Sequence, residues 1–243
     1  MSFNDDTSLE QAQYVRWHEF ANASSLQQAA YQWIVDAAHH AITAGRKFNI
    51  VLAGGSTPRA VYTLLRNADT DWSRWQIWFG DERCLPVGDP QRNSTMAFDT
   101  WLVHVPIPPS QVNTIPAQLG ADVAAAMYAQ VLHEKQCSDF DLVLLGLGED
   151  GHTASLFPGN DLGITANSPD TIAVVNSPKP PAHRVSLNAR RLSKARKVLF
   201  LVEGESKRDA VTRWRAGEDI PARAIRPNHG VDVLITQSPL LLP

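Results

Sequence analysis

Apolar side chains at Leu26, Ala29, Ala30, Trp33, Ile34, Ala37, Ala38, Ala41 and Ile42 recur three and four residues apart. That spacing predicts an amphipathic helix over 26–44, with Gly45 placed to end it. The stretch Phe48-Asn-Ile-Val-Leu-Ala53 then reads as a buried strand. Pro58 opens a short helix through Ala60, Val61, Leu64 and Leu65. A second strand over 75–79 ends at Gly80, and an alanine-rich helix over 121–134 leads into a strand at 141–145. Short strands are expected at 171–175 and 185–187. A further buried strand at 197–202 precedes a helix over about 206–215, and 231–235 is the last strand.

Strands alternate with helices from end to end. The expected class is therefore α/β, a mostly parallel sheet with helices on both faces. No internal repeat interrupts the alternation. The proline-rich stretches at 105–109 and 178–181 read as loops, because the pattern continues across both. A single domain over 1–243 is expected, with residues 1–12 as a flexible lead.

Composition narrows the function. Of 243 residues, 44% are apolar, enough for a sizeable core. The net charge of −3 argues against a nucleic-acid binder, whose domains are usually strongly basic. No apolar run approaches the roughly 20 residues that span a bilayer, so no membrane partner is expected. The acidic N-terminus lacks the apolar core of a secretory signal. Cys84 and Cys137 lie far apart, which fits a reducing cytoplasm and neither a zinc site nor a disulfide framework.

Candidate chemistry gathers at strand ends, where open α/β sheets bind ligands. After the strand at 141–145, Gly146, Gly148 and Gly151 break the chain around Asp150 and His152. A neutral imidazole takes protons at pH 7, and a nearby carboxylate can fix its tautomer. The loop 53–58, Ala-Gly-Gly-Ser-Thr-Pro, has two readings. Gly54 and Gly55 let backbone approach an anion at a helix N-terminus, with Ser56 and Thr57 as hydroxyl donors or caps and Pro58 at the first helical position. The same residues also make an ordinary capped turn. Asp81, Glu82 and Arg83, read alone, form a solvated charged loop, although an arginine there can clamp a phosphate. Eleven of the 22 lysines and arginines fall between 179 and 215. Of these, Lys179, Arg184 and Lys207 lie in loops or beside strand ends and are candidates to complete an anion site. A metal at Asp81, Asp150 and His152 is not expected, because no H-E-x-x-H motif is present and no other histidine lies in a comparable turn.

Taken together, these segments resemble the 6-phosphogluconolactonase family. The matching stretches are Leu-Ala-Gly-Gly-Ser-Thr-Pro at 52–58, Trp-Phe-Gly-Asp-Glu-Arg at 78–83, Leu-Gly-Leu-Gly-Glu-Asp-Gly-His-Thr-Ala-Ser-Leu-Phe-Pro at 145–158, and Ser-Pro-Lys-Pro-Pro at 177–181 followed by Arg-Val-Ser-Leu at 184–187. The resemblance covers about residues 15–237. It implies a modified Rossmann-like fold and hydrolysis of 6-phospho-D-glucono-1,5-lactone in the oxidative pentose phosphate pathway, with no metal or organic cofactor. It also implies His152 as base with Asp150 its partner. Gly54, Gly55, Ser56, Thr57, Asp81, Arg83, Lys179, Arg184 and Lys207 are the implied sugar and phosphate contacts. The expected partner is a small sugar phosphate lactone, and the expected assembly a monomer or small homo-oligomer. Arg92-Asn93-Ser94 departs from the Ser-Asn-aromatic common in the family.

Two alternatives accompany this reading. One is a glucosamine-6-phosphate deaminase or isomerase. Those relatives carry Asn-Glu-Pro where this chain has Leu156-Phe157-Pro158, so the Glu that supports their ring-opening His is replaced by Phe157. The other is a non-catalytic sugar-phosphate sensor, but too little chain precedes the first long helix for a DNA-reading module.

Overall fold

In a computed structural model of the chain, residues 12–236 are described. The expected flexible lead lies, but for residue 12, outside them. The strands are β1 (Val15–Phe20), β2 (Phe48–Leu52), β3 (Trp75–Phe79), β4 (Asp81–Arg83), β5 (Leu142–Gly146), β6 (Thr171–Val174), β7 (Arg184–Leu187), β8 (Val198–Val202) and β9 (Val231–Thr236). The α-helices are α1 (Ala23–Thr43), α2 (Ser56–Leu65), α3 (Asn93–Thr100), α4 (Ala121–Glu134), α5 (Ala189–Ser193) and α6 (Arg208–Arg215).

Six strands form one parallel sheet in the order β1-β9-β8-β5-β2-β3, flanked by helices, as the α/β expectation required. β3 and β8 are buried along their whole length, because both faces of the sheet are covered. α1 buries Leu26, Ala30, Ile34, Ala38 and Ala41, one stripe of its surface. Asn22 starts it with a capping box, its side chain accepting from the Ser25 N–H.

The chain passes from β2 outward to β3 but from β5 the other way, to β8 and β9. Strands β2 and β5 are neighbours, so the direction reverses between them. A crevice opens beyond the carboxyl ends of strands at such a reversal.

The structure departs from the sequence reading in several places. The segments at 171–175 and 185–187 are strands, but they join β4 in a separate antiparallel sheet of order β4-β7-β6. Strand β1 and helix α3 were not expected. Helix α2 begins at Ser56 with Gly55 as its cap residue, so Ser56 and Thr57 are helical and Pro58 stands at the third position. Proline is tolerated there because the first N–H groups of a helix have no intrahelical acceptor. Residues 205–207 form a 3-10 turn ahead of α6. Among the described residues no helix is long and apolar enough to cross a membrane.

Candidate active site

A cavity of about 320 Å³ lies beyond the ends of β2, β3, β5 and β8, at the reversal point of the sheet. The turn after β5 forms one wall. It is closed by hydrogen bonds from the Gly148 N–H to the His152 carbonyl (2.8 Å) and from the Gly151 N–H to the Gly148 carbonyl (3.0 Å). Inside it, His152 Nδ1 meets Asp150 Oδ1 at 2.5 Å, and the same carboxylate oxygen accepts from the His152 backbone N–H at 3.2 Å. Gly148 is required by close approach: a Cβ there would stand 1.9 Å from His152 Nδ1.

The electrostatics of the pair follow from this geometry. Burial is the largest influence on His152 and lowers its pKa; the hydrogen bond and charge of Asp150 oppose it, the charge of Lys179 adds to the lowering, and the net shift is below the ordinary imidazole value. A shift in that direction favours the neutral, proton-accepting imidazole at pH 7. Burial pushes the Asp150 carboxyl up, but the hydrogen bonds and charge of His152 together outweigh it and hold it below the ordinary carboxylate value.

The second wall is β4, and here the solvated-loop reading of residues 81–83 fails. Asp81 and Glu82 are buried. Glu82 accepts from the backbone N–H groups of Arg83, Asn93 and Ser94, so it caps the start of α3. Arg92 Nε stands 3.4 Å from Glu82 Oε2, and its other nitrogens donate to the carbonyls of Leu85 and Ile115. Arg92, one of the two residues that depart from the family pattern, is thus a buried counter-charge and does not line this cavity. Asp81 accepts from Asn93 Nδ2 (2.8 Å) and from the Ser155 hydroxyl (2.6 Å), which ties β4 to the His152 turn. A Cβ on Gly54 would stand 2.0 Å from Asn93 Oδ1, so the first glycine loop and α3 also meet closely.

Cations complete the rim. Arg83 donates to the Gln91 carbonyl, while its buried Nε has no protein partner. Arg184 donates to the carbonyls of Lys179, Pro180 and Pro181, so much of its fork holds the Lys179 loop in shape. Burial lowers its pKa, Asp81 opposes that, and Arg83 adds to it. Gly54, Gly55, Ser56, Thr57, Asp81, Arg83, Lys179, Arg184 and Lys207 all line this one cavity with His152. Asp150 sits behind the imidazole and does not line it. The N-terminus of α2 opens into the cavity at Ser56 and Thr57, whose N–H groups precede the first intrahelical bond.

A family model for glucosamine-6-phosphate isomerases/6-phosphogluconolactonase matches residues 21–234. The chain belongs to that family. A 6-phosphogluconolactonase of Mycobacterium leprae is 35% identical over 210 residues, covering 82% of this chain and 85% of the relative. A 6-phosphogluconolactonase of Streptomyces coelicolor is 40% identical over 185 residues, covering 70% of each. The crystal structure of the 6-phosphogluconolactonase of Thermotoga maritima matches with a TM-score of 0.84 at 25% identity, over 92% of this chain and all of that one. These three relatives are all lactonases.

Sequence reasoning missed one residue lining this candidate site and two tertiary contacts around it. Glu203, at the end of β8, lines the cavity. Ser155 and Phe157 lie within the glycine-rich motif but were not singled out for contacts. Their partners, Asp81 and the His152 ring, come from tertiary structure that spacing along the chain does not reveal.

Proposed function

We propose that the chain hydrolyses 6-phospho-D-glucono-1,5-lactone to 6-phospho-D-gluconate, the lactone-opening step of the oxidative pentose phosphate pathway, with His152 as general base. One observation carries the reading: an imidazole, held by a carboxylate, faces a cavity rimmed with cations at the carboxyl ends of a parallel sheet. The kinship with lactonases supports it.

In this mechanism Nδ1 is taken by Asp150, so Nε2 is the nitrogen left to serve the cavity. It accepts a proton from water as the water oxygen attacks C1. The carbonyl electrons move onto the carbonyl oxygen, where a cation stabilises the developing charge. Lys179 suits that role, because it is the cation that acts electrostatically on His152. The tetrahedral intermediate collapses, the C1–ring-oxygen bond breaks, and the imidazolium returns its proton to the leaving oxygen. The product acid then ionises. The N–H groups at the start of α2, with Arg83 and Lys207, are the proposed phosphate contacts, since anions bind at helix N-termini. The phosphate, remote from C1, supplies positioning.

The deaminase alternative is less favoured, because the face of His152 lies against the apolar ring of Phe157 where ring opening would use a carboxylate. The deciding experiment follows the loss of freshly generated lactone, with the spontaneous rate subtracted, for the wild type and His152→Ala. The variant should lose about 10²–10⁴-fold in rate while still binding 6-phosphogluconate. A folded variant that hydrolyses lactone at the wild-type rate would remove His152 from the mechanism.

A further inference from the structure

The Phe157 ring is fully buried and lies against the His152 imidazole, 4.7 Å between centroids with the planes 37° apart. The Arg184 guanidinium carbon stands 5.5 Å from the centroid of the same ring. Phe157 therefore joins the turn after β5 to the start of β7. It does not itself line the cavity, so any part it plays in the reaction acts through its neighbours.

A histidine held at one nitrogen can still pivot about that hydrogen bond. The contact at Nδ1 fixes a point, not a plane, and a flat apolar surface against the ring supplies the missing restraint. We infer that Phe157 is a positioning residue for the hydrolysis: its ring is the floor that sets the rotation of His152, with Nδ1 toward Asp150 and Nε2 toward the cavity, and shields one imidazole face from water. The inference rests on the proposed role of His152 as base.

The charged surroundings show why such a floor matters. Asp150 faces His152 from its own turn, Asp81 from β4, and Lys179 from the loop before β7. Arg184 of β7 lies across Phe157, and Arg213 of α6 donates to the Asp150 carbonyl at 3.4 Å. The two carboxylates favour the imidazolium, which is useless as a base. Burial, with the charge of Lys179, opposes them, and the net shift of His152 is downward, toward the neutral ring. Phe157 covers the face where water would otherwise restore the charged form.

The test replaces Phe157 with Leu, which keeps an apolar side chain and loses the flat face, and with Tyr, which keeps the ring. The measurements are kcat and KM for 6-phosphogluconolactone, the pH profile of kcat/KM, and the NMR titration of His152 in histidine-labelled protein. Phe157→Leu should lower kcat roughly 10- to 100-fold, as small misplacements of reacting groups do, with KM little changed. The acid limb and the His152 titration should both move up toward the ordinary value near 6.5. Phe157→Tyr should recover most of the rate. If the Leu variant does not fold, Phe157→Met carries the same expectation. An unchanged kcat and titration overturns the proposal. So does a lower kcat with both the acid limb and the titration unmoved, since that marks a merely structural role. His152→Ala, assayed in parallel, separates the two ideas. Full activity there sinks the base, and the NMR titration of His152 in the Phe157 variants still decides whether the floor exists.

Discussion

Gly148→Ala adds a single methyl group behind the His152 imidazole. Gly148 does not have a positive φ, so alanine meets no backbone penalty, and the perturbation is the Cβ itself. That Cβ would stand 1.9 Å from His152 Nδ1, 2.2 Å from its Cε1 and 2.7 Å from Asp150 Oδ1. Non-bonded carbon contacts settle near about 3.5–4.0 Å, so the ring or the turn has to move by roughly 1.5 Å. A displacement of about 1 Å costs about 10²-fold in rate, or about 2.7 kcal/mol of barrier. The complete loss of a general base sets a ceiling near 10⁴-fold. The expected fall in kcat/KM is therefore between these bounds. It is measured by consumption of fresh lactone against the spontaneous rate, with thermal unfolding and 6-phosphogluconate binding as controls. A folded Gly148→Ala protein that binds product normally and works at the wild-type rate would show that the Asp150–His152 contact is dispensable.

Other expectations follow from the same geometry. Because burial lowers the pKa of His152, the wild-type rate should hold through pH 7 and fall only below the ordinary imidazole value near 6.5; an acid limb above that value would contradict the account. Unphosphorylated gluconolactone should be a poorer substrate by several kcal/mol in kcat/KM, at about 1.5–3 kcal/mol per charge-assisted hydrogen bond; equal values would reduce the loop 54–57 to a capped turn. Activity should survive exhaustive chelation, since among the described residues no three His, Cys, Asp or Glu side chains are grouped to hold a metal; loss with EDTA and rescue by a divalent ion would refute this. Asp232 accepts two hydrogen bonds from Arg16, each 2.7 Å, and one contact from His18 at 2.8 Å. Burial raises its pKa, but these partners together leave it below the ordinary value, so its stabilisation is full above about pH 4 and fades as pH falls through the lower folded value. Asp232→Asn should cost about 1–2 kcal/mol at pH 7, a figure reduced because Arg16 is partly exposed; a urea-midpoint difference that stays constant down to pH 3 would contradict this.

Strands buried on both faces were legible because their side chains are mostly apolar. The stretches 48–52, 75–79 and 198–202 announce themselves in this way. Strand β1 did not, because Arg16, His18 and Glu19 break its apolar run at an edge of the sheet. Strand β4 was hidden for a different reason. Three charged residues read as solvated, and the backbone donors of Arg83 and of α3, with Arg92, make a buried Glu82 tolerable. The candidate site was legible as a set of strand ends with unusual chemistry. That Gly54, Asp81, His152, Lys179 and Lys207 would share one cavity depended on sheet order, which local pattern does not encode.

The pairing of β1 with β9 bears on how the chain folds. Their partnered residues Arg16 and Asp232 lie 216 positions apart, and β9 also separates β1 from β8. During synthesis β1 is made long before its neighbour β9. Until β9 arrives, β1 has no place in the sheet and the apolar β8 is an open edge. Contacts this distant in sequence form slowly, and exposed edges invite pairing with other chains. The interval between the emergence of β8 and the docking of β9 is therefore when aggregation threatens most. A nascent chain stalled before residue 231 leaves two strands, one from each end of the fold, without their shared neighbour.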